Sequence, residues 1–458
     1  MTPDELAPRF FAAAVVILVF SRLVSMAFAR VGQPYVVGEM IAGVLLGPSL
    51  LGTLAPDVSE AIFPAELIPV IYVGGQIGLV ALMFHVGYEF RSRANSGLVG
   101  SALAVSAAGM LAPIAGGFGL AMAAHGHVDI FVDGVSVWVT AAFVGVALAV
   151  TAFPMLARII TERGLAGTRF GSLSLASGAS DDAAAWILLA GVVSVAAKDA
   201  GHVLVAAGGT LLFALLLFFV VRHVLARMLA RPTLSEDTRV LLTVAVLFCG
   251  AWYTDEIHLY SVFGGFCVGL VMPQTPAADR VVHTVHSMTR VVFLPMFFTY
   301  SGLRTEFDVF SEPAVLLFGA CAVVVAVIGK FGGCWAAARW RGEPSSVALR
   351  VGTLMNARGL MQLIALNIGL DAGIVNRTMF AALVLVALVT TTMTAPILQW
   401  LDRRYPEEAQ PPQEAQPRPP AATRPDHPAG PRPGSTPPGD SPTGESDGRE
   451  TRDPSPLP

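Results

Sequence analysis

The sequence predicts an all-α protein that crosses a membrane many times, and three observations support this fold class. Hydrophobic residues make up 54% of the 458 residues and charged residues only 14%, whereas soluble domains carry about a quarter charged residues. The mean hydropathy is +0.64. The apolar residues also gather into about thirteen stretches, most of them long enough to cross a bilayer as a helix. These features together indicate a polytopic membrane protein.

The apolar stretches follow one another, with short breaks, along most of the chain. The first contains MAFA near Ala29, which resembles a signal-peptide cleavage site. However, it follows Asp4 and Glu5 rather than a basic cluster, so we interpret it as the first transmembrane helix. Interrupted segments such as GEMIAGVLLGP make the number of spans less definite than the class. The predicted spans are 8–29, 35–52, 67–88, 97–123, 136–160, 168–196, 202–227, 238–254, 257–273, 284–302, 313–338, 346–369 and 377–400.

Basic residues in the connecting loops predict the orientation, because cytoplasmic loops carry an excess of Lys and Arg. With the N-terminus outside, the outer loops hold only Arg9, Lys198, Arg304 and Arg377. The bias is roughly four to one and predicts an odd number of spans with a cytoplasmic C-terminus. The basic residues on the cytoplasmic side are Arg30, Arg91, Arg93, Arg158, Arg163, Arg169, Arg222, Arg227, Arg231, Arg239, Arg280, Arg339, Arg341, Arg350, Arg403 and Arg404.

The composition changes abruptly near Pro406 to Pro/Gly/Ser-rich sequence such as QPPQEAQPRPPAATRPDHPAG. Such sequence buries too little apolar surface to become ordered. We therefore predict a membrane domain over residues 1–405 and a disordered, Pro-rich cytoplasmic tail over 406–458.

Charge and cysteine usage exclude other classes of protein. The net charge is −4 and no basic stripe is present, which argues against a nucleic-acid partner. The four cysteines lie within apolar segments and lack metal-ligand spacing, so we interpret them as packing residues. They are Cys249, Cys267, Cys321 and Cys334.

Two adjacent acids, Asp181 and Asp182, interrupt the apolar run from about Phe170 to Ala196. A charge at the centre of a bilayer costs at least a few kcal/mol. Consecutive side chains on a helix diverge by about 100°, so one carboxylate can face a protein partner and the other a cavity. A helix end at the membrane interface is the alternative. We favour an ion or proton pathway because about ten apolar residues lie on each side.

Lys330, within CAVVVAVIGKFGGCWAAARW, is unusual because only it and Lys198 are lysines among 29 basic residues. A desolvated lysine can lose its proton, whereas arginine stays charged. Lys330 therefore suggests a task that arginine performs poorly. A side chain that extends to the membrane interface is the alternative. A buried lysine beside the acids would neutralise one carboxylate and leave the other available.

Helix-breaking sequences interrupt two of the predicted spans. TAFPMLARI contains Thr151 and Pro154, and MNARGLMQ contains Asn356 and Arg358. Proline removes a helical hydrogen bond and clashes with the preceding turn. Unwound backbone at membrane depth is tolerated where it lines a buried or water-filled site.

Each interrupted span is the middle one of three, within 97–196 and within 313–400. Two broken helices in matching halves are typical of transporters built from inverted repeats. The sequence therefore predicts inverted repeats with two crossed, broken helices.

Six strings along the chain are informative together. They are GQPYVVGEMIAGVLLGPSLLG (32–52), AVTAFPMLARIITERGL (149–165), DDAAAWILLA (181–190), FGGFCVGLVMP (263–273), LPMFFTYSGLRTE (294–306) and NARGLMQLIALNIGLDAGIV (356–375). In this order they resemble the monovalent cation:proton antiporters (sodium/hydrogen exchangers). The likeness is to the branch that contains plant cation/proton exchangers and bacterial Kef-type and Nap-type proteins, and it covers about residues 8–400.

The resemblance implies the antiporter (NhaA-like) fold, a homodimer in the cell membrane, and a core domain that moves like an elevator against a scaffold. The scaffold helices would lie within 8–88 and 202–302, and the core helices within 97–196 and 313–400. It also implies a transporter rather than an enzyme, with no cofactor beyond the transported Na⁺ or K⁺ and H⁺.

The resemblance also assigns roles within the site. Asp182 would bind the monovalent cation or the proton, and Asp181 would form a salt bridge with Lys330, an arrangement that commonly accompanies electrogenic exchange. Thr151 and the backbone near Ala152–Pro154 would line one crossing helix. Asn356 and Arg358 would line the other.

One residue departs from the family's pattern. Gln362 stands where a Glu is usual, so cation choice and pH response do not carry over directly. We therefore expect exchange of Na⁺ or K⁺ for protons. A Kef-like K⁺ efflux protein, a non-transporting membrane sensor on the same fold, and a sodium-coupled solute symporter are the alternatives.

Overall fold

The computed structural model describes residues 3–92, 98–165, 167–196, 200–257, 260–307 and 311–406. Every regular element in these ranges is a helix. The helices of the first half are α1 (Pro3–Arg30), α2 (Tyr35–Leu46), α3 (Pro56–Ile62), α4 (Ile68–Ser92), α5 (Val99–Ala124), α6 (Val137–Ala149), α7 (Phe153–Glu162), α8 (Arg169–Ala196) and α9 (Ala200–Leu216).

The second half continues the same pattern, and wide π-helical turns join several of its helices. The helices are α10 (Arg222–Ala230), α11 (Glu236–Glu256), α12 (Ser261–Val271), α13 (Pro276–Met288), α14 (Leu294–Leu303), α15 (Pro313–Val327), α16 (Gly333–Trp340), α17 (Ser345–Met355), α18 (Gly359–Asp371) and α19 (Arg377–Arg404).

The predicted all-α membrane class is confirmed, because each predicted span falls on a helix or a consecutive set of helices. Within the described ranges, nine helical segments are long and apolar enough to cross a membrane. Three shorter apolar helices, Val137–Ala149, Ser261–Val271 and Met361–Asp371, lie at other predicted spans. The exact count of thirteen and the orientation stay predictions.

Both interrupted spans are broken helices in the structure. Extended backbone at Val150 (φ −56°, ψ 132°) follows α6, and Pro154 is the second residue of α7, where its missing N–H costs no helical hydrogen bond. The side chain of Pro154 lies outside the described residues. Between α17 and α18 the break ends at Gly359, whose φ of +48° suits glycine.

A backbone hydrogen bond joins the two breaks directly. The N–H of Ala152 donates to the carbonyl oxygen of Ala357 at 3.0 Å. Two segments that are 205 positions apart in sequence (357 minus 152) are therefore held against each other where neither is helical. The two broken helices cross at this point.

Glycines allow α2 and α14 to pack with their backbones in contact. A Cβ atom at Gly302 would lie 1.9 Å from the carbonyl oxygen of Gly43, and one at Gly43 would lie 2.2 Å from that of Phe298. A side chain at either position would force the helices apart. Both helices belong to the predicted scaffold, although the grouping into scaffold and core stays a prediction. Of the predicted tail, residues 407–458 lie outside the described residues.

Candidate functional site

Helix α8 carries Asp181 and Asp182 near its middle, with twelve helical residues before the pair and fourteen after it (positions 169–180 and 183–196). The exposed fractions of Asp181 and Asp182 are 0% and 1%. The acids are thus enclosed by protein at mid-helix and do not lie at a helix end. Isolated ionised carboxylates are very costly in such surroundings, so each acid needs a compensating group.

Lys330 supplies one compensating charge. It lies in the π-helical turn Ile328–Gly332 between α15 and α16 and is fully buried. Its Nζ donates to Oδ2 of Asp181 at 2.6 Å and to the carbonyl oxygen of Ala149, also at 2.6 Å. An ammonium held in this way does not extend to the membrane interface.

Close packing of α5 holds the lysine turn in place. A Cβ atom at Gly329 would lie 2.9 Å from backbone atoms of Pro113, and one at Gly333 would lie 2.6 Å from the carbonyl oxygen of Ala108. Cys334 of the same region also donates to the carbonyl oxygen of Val105 at 3.7 Å. The backbone that carries Lys330 therefore has little freedom to move away from Asp181.

Asp181 receives a second donor from the first helix break. Oγ1 of Thr151 donates to the same Oδ2 atom at 2.7 Å, and Thr151 is itself fully buried. Oδ2 of Asp181 is therefore bonded to both a cation and a hydroxyl, as buried polar atoms generally are.

Asp182 is much less compensated. No side chain among the described residues donates a hydrogen bond to either of its carboxylate oxygens. The backbone amide of Phe153 interacts with it, and Phe153 is the first residue of α7, where the helix dipole favours negative charge. Lys330 thus compensates Asp181, whereas Asp182 has no side-chain donor among the described residues.

The second helix break contributes Asn356 and Arg358, which are 3% and 0% exposed. Oδ1 of Asn356 has no hydrogen-bond partner among the described residues. Arg358 donates through Nη2 to the carbonyl oxygen of Ala326 at 2.6 Å, while its Nε and Nη1 find no acceptor in the described part of the chain. Four titratable side chains of this region are therefore buried: Asp181, Asp182, Lys330 and Arg358.

Gln362 lies one turn after Arg358 on α18 and is also fully buried. Its Nε2 donates to the carbonyl oxygen of Leu383 at 3.1 Å, and its Oε1 has no partner among the described residues. A glutamate at this (i, i+4) position could pair with Arg358, whereas a neutral amide cannot. Position 362 therefore adds no negative charge beside the second break.

Sequence reasoning missed the backbone acceptor of Lys330. Ala149 is the last residue of α6, and the last four carbonyl groups of a helix have no acceptor role inside it. The predicted helix break near Pro154 was the available signal, because it leaves carbonyl groups without helical partners and a buried cation such as Lys330 can donate to them. Of the predicted residues, Asp181, Lys330 and Thr151 are joined by hydrogen bonds, and Asn356 and Arg358 lie at the break that bonds to Ala152.

Comparisons with known proteins identify a family and a set of relatives. The family described as "Sodium/hydrogen exchanger, transmembrane" matches residues 15–401. The chain is 34% identical over 395 residues to the Na⁺/H⁺ antiporter NhaS4 of Synechocystis sp., covering 84% of this chain and 95% of that protein. It is 31% identical to Cation/H⁺ antiporter 17 of Arabidopsis thaliana, over 86% of this chain but 48% of that longer protein.

The fold is also similar to a solved structure. The sodium proton antiporter MjNhaP1 from Methanocaldococcus jannaschii superposes with a TM-score of 0.62 at 12% identity, covering 87% of this chain and 97% of that one. At this identity the likeness concerns the fold alone.

Proposed function

The chain belongs to the sodium/hydrogen exchanger family of cation/proton antiporters, and we propose that it exchanges Na⁺ or K⁺ for protons by an elevator-type movement of its core domain. The observation that carries this proposal is the difference in hydrogen-bond partners between the two adjacent acids. Asp181 is bonded to Lys330 and Thr151. Asp182 has no side-chain donor among the described residues.

Asp182 is the carrier in this scheme. One uncompensated carboxylate can bind a cation or a proton but not both, since each neutralises the same charge. Carboxylate and carbonyl oxygens are hard ligands that suit alkali cations. We place Oδ1 of Asn356 beside Asp182 in the coordination shell, because it is a buried carbonyl oxygen without a partner among the described residues.

The cost of burying charge explains why exchange is obligatory. A charge carried through a bilayer without a partner costs at least a few kcal/mol. Movement of the core is therefore much faster when Asp182 holds a cation or a proton than when it is empty. In this proposal a homodimer keeps the scaffold fixed in the cell membrane while the core of each protomer moves, with the N-terminus outside and the tail in the cytoplasm.

The transport stoichiometry depends on Lys330. If the Lys330–Asp181 pair keeps its proton, one proton is exchanged for one cation, and exchange is electroneutral. If Lys330 gives up its proton when the cation binds, two protons are exchanged, and the membrane potential contributes about 2.3 kcal/mol per charge per 100 mV. Because the family resemblance associates an Asp at position 181 with electrogenic exchange, we propose the second form.

The first experiment tests Asp182 in proteoliposomes that contain a pH-sensitive dye. Addition of Na⁺ or K⁺ outside should make the lumen more alkaline, because protons leave as cations enter. Asp182→Asn should abolish this change. Asp57→Asn is the matched control, because Asp57 is an exposed acid on α3, and it should exchange like the wild type. Undiminished exchange by Asp182→Asn would overturn the assignment.

A second arm decides between sodium exchange and potassium efflux. Half-saturating concentrations for Na⁺, K⁺ and Li⁺ are compared, and Na⁺ exchange is repeated with the membrane potential clamped by K⁺ and valinomycin. A rate that changes when the potential is varied indicates electrogenic exchange. A rate that stays constant indicates one proton per cation.

A further inference from the structure

Two ion pairs connect the predicted scaffold to the predicted core at one end of the molecule. In one pair the arginine belongs to the scaffold, and in the other it belongs to the core. Arg304, which follows α14 of the scaffold, pairs with Asp371, the last residue of α18 of the core, at 2.7 Å. In the reverse sense, Arg377, the first residue of α19 of the core, pairs with Glu306 of the scaffold side. Both arginines are among the few basic residues that the sequence places outside. We call these four residues the outer lock.

Aromatic and amide side chains hold Arg304 in position. Nη1 of Arg304 donates to the hydroxyl of Tyr300 at 2.9 Å and lies 3.4 Å from Oδ1 of Asn367. The Tyr300 ring lies against the Tyr72 ring, with 5.0 Å between their centroids. Tyr300 therefore orders the guanidinium from the scaffold side, while Asn367 contacts it from α18 of the core, the helix that also carries Asp371.

Neutral hydrogen bonds extend the same connection. Nδ2 of Asn367 donates to Oγ of Ser301 at 3.1 Å, and the hydroxyl of Tyr260 donates to the carbonyl oxygen of Ile368 at 3.4 Å. Each of these bonds joins a scaffold helix to α18. Opening the molecule at this end requires all of them to break.

Ion pairs at the opposite ends of the helices have a different arrangement. Arg169–Glu343 and Arg350–Asp402 each join two core segments, and Arg280–Glu236 joins two scaffold segments. The polar contact between Gln33 and the carbonyl oxygen of Thr392, at 2.9 Å, is a neutral bond from scaffold to core. The charged contacts across the boundary that the structure shows thus gather at the outer end.

We propose that the outer lock is a gate that holds the site closed toward the outside and that must open once in every transport cycle. This proposal rests on the elevator movement proposed above, because only movement of core against scaffold would separate the paired residues. Arg304 and Asp371 dominate the gate, since their side chains are 24% and 35% exposed. Those of Arg377 and Glu306 are 71% and 39% exposed, and exposed pairs contribute little.

A labelling experiment tests the gate without measuring transport. Thr299, which is fully buried on α14 and whose hydroxyl has no partner among the described residues, is replaced by cysteine as a reporter, in a background where the four native cysteines are replaced by alanine. A membrane-impermeant maleimide added from outside should react slowly. Arg304→Glu should raise the reaction rate about fivefold, a change within the range of directly coupled charges.

Charge exchange provides the decisive comparison. Arg304→Glu combined with Asp371→Arg should return the labelling rate to within about twofold of the reporter alone, because the pair is restored in reverse. Arg280→Glu is the matched control, because it breaks an ion pair within the scaffold, and it should leave the rate unchanged. Arg304→Gln, which removes the charge at similar size, is measured alongside in case the reversed variant does not fold. Equal rates in the reporter alone and in both Arg304 variants would overturn the gate.

Transport kinetics then separate the gate from the proposed function. Weakening a gate on one side favours the outward-open state, so the half-saturating cation concentration should fall outside and rise inside. A purely structural defect would lower the maximal rate without such opposite shifts. If the labelling rates respond as expected but the wild type shows no exchange, the gate stands and the proposed function fails. If exchange occurs but the labelling rates do not respond, the gate fails and the function stands.

Discussion

Replacement of Lys330 by methionine is the most direct test of the buried charge cluster. Methionine has a similar length, so the change removes the ammonium while leaving a small cavity. In the wild type, Nζ of Lys330 lies 2.6 Å from both Asp181 and the carbonyl oxygen of Ala149. The variant leaves the Asp181 carboxylate with Thr151 as its donor, in a position where both acid and lysine are 0% exposed.

The expected loss of stability follows from the full burial of the ion pair. Breaking a buried ion pair by removing one partner destabilises a protein by about 3–5 kcal/mol. With an unfolding entropy of about 2.1 cal/mol/K per residue over roughly 400 ordered residues, the Tm falls by about 1 °C for each 0.8 kcal/mol. Lys330→Met should therefore lower the Tm by about 4–6 °C.

The assay is thermal unfolding of the purified protein in detergent, followed by the fluorescence of its six tryptophans. Asp181→Asn and the double variant Lys330→Met/Asp181→Asn complete a double-mutant cycle. The double variant should be more stable than Lys330→Met alone, because the Asp181 charge that lost its partner is removed as well. A Tm for Lys330→Met within 1 °C of the wild type would show that the ion pair does not stabilise the protein. A double variant less stable than Lys330→Met alone would show that the unpaired Asp181 charge is not the cause of the loss.

Two further predictions concern the helix breaks. Thr151→Val removes the hydroxyl that donates to Asp181. It should lower the free energy of unfolding by about 1.5–3 kcal/mol, because the lost bond is to a charged group. A Tm equal to that of the wild type would contradict this. Gly359→Ala should destabilise by about 2–3 kcal/mol, because φ is +48° and the new Cβ would lie 2.9 Å from Sδ of Met155. Gly373→Ala, with φ of +66° and open space around it, should show only the backbone cost of about 1 kcal/mol, so equal losses for the two glycine variants would rule out the steric part.

Much of the fold could be predicted from the sequence because hydrophobic length is a local property. A stretch of apolar residues must become a helix in a bilayer to satisfy its own backbone, and the helices lie where the apolar stretches predicted them. The two helix breaks were predictable for the same reason, since Pro154 and Gly359 act on their own backbone. Helix number was harder, because short helices such as Ser261–Val271 are ambiguous by length.

The contacts of the site were less accessible to sequence reasoning. Lys330 and Asp181 are 149 positions apart, and their rarity in apolar surroundings made them candidate partners without establishing which oxygen accepts. The carbonyl oxygen of Ala149 could not be proposed as an acceptor without knowing where α6 ends. The roles of Asp182, Asn356 and Arg358 in ion binding stay predictions that the exchange experiment tests.

The amino-acid sequence alone was enough to predict a helical membrane protein, the positions at which its helices break, and the charged residues that lie among apolar ones. These properties follow from the cost of exposing backbone and charge to lipid, which each segment experiences independently. Which of those charged side chains pair with each other follows only from the packing of the helices in the tertiary structure. Asp181 receives both Lys330 and Thr151, whereas Asp182 has no side-chain donor among the described residues, and Arg304 meets Asp371 across the predicted boundary of scaffold and core. Such pairings depend on how distant helices pack, because an ion pair or a hydrogen bond stabilises the protein only when the fold brings both partners into contact.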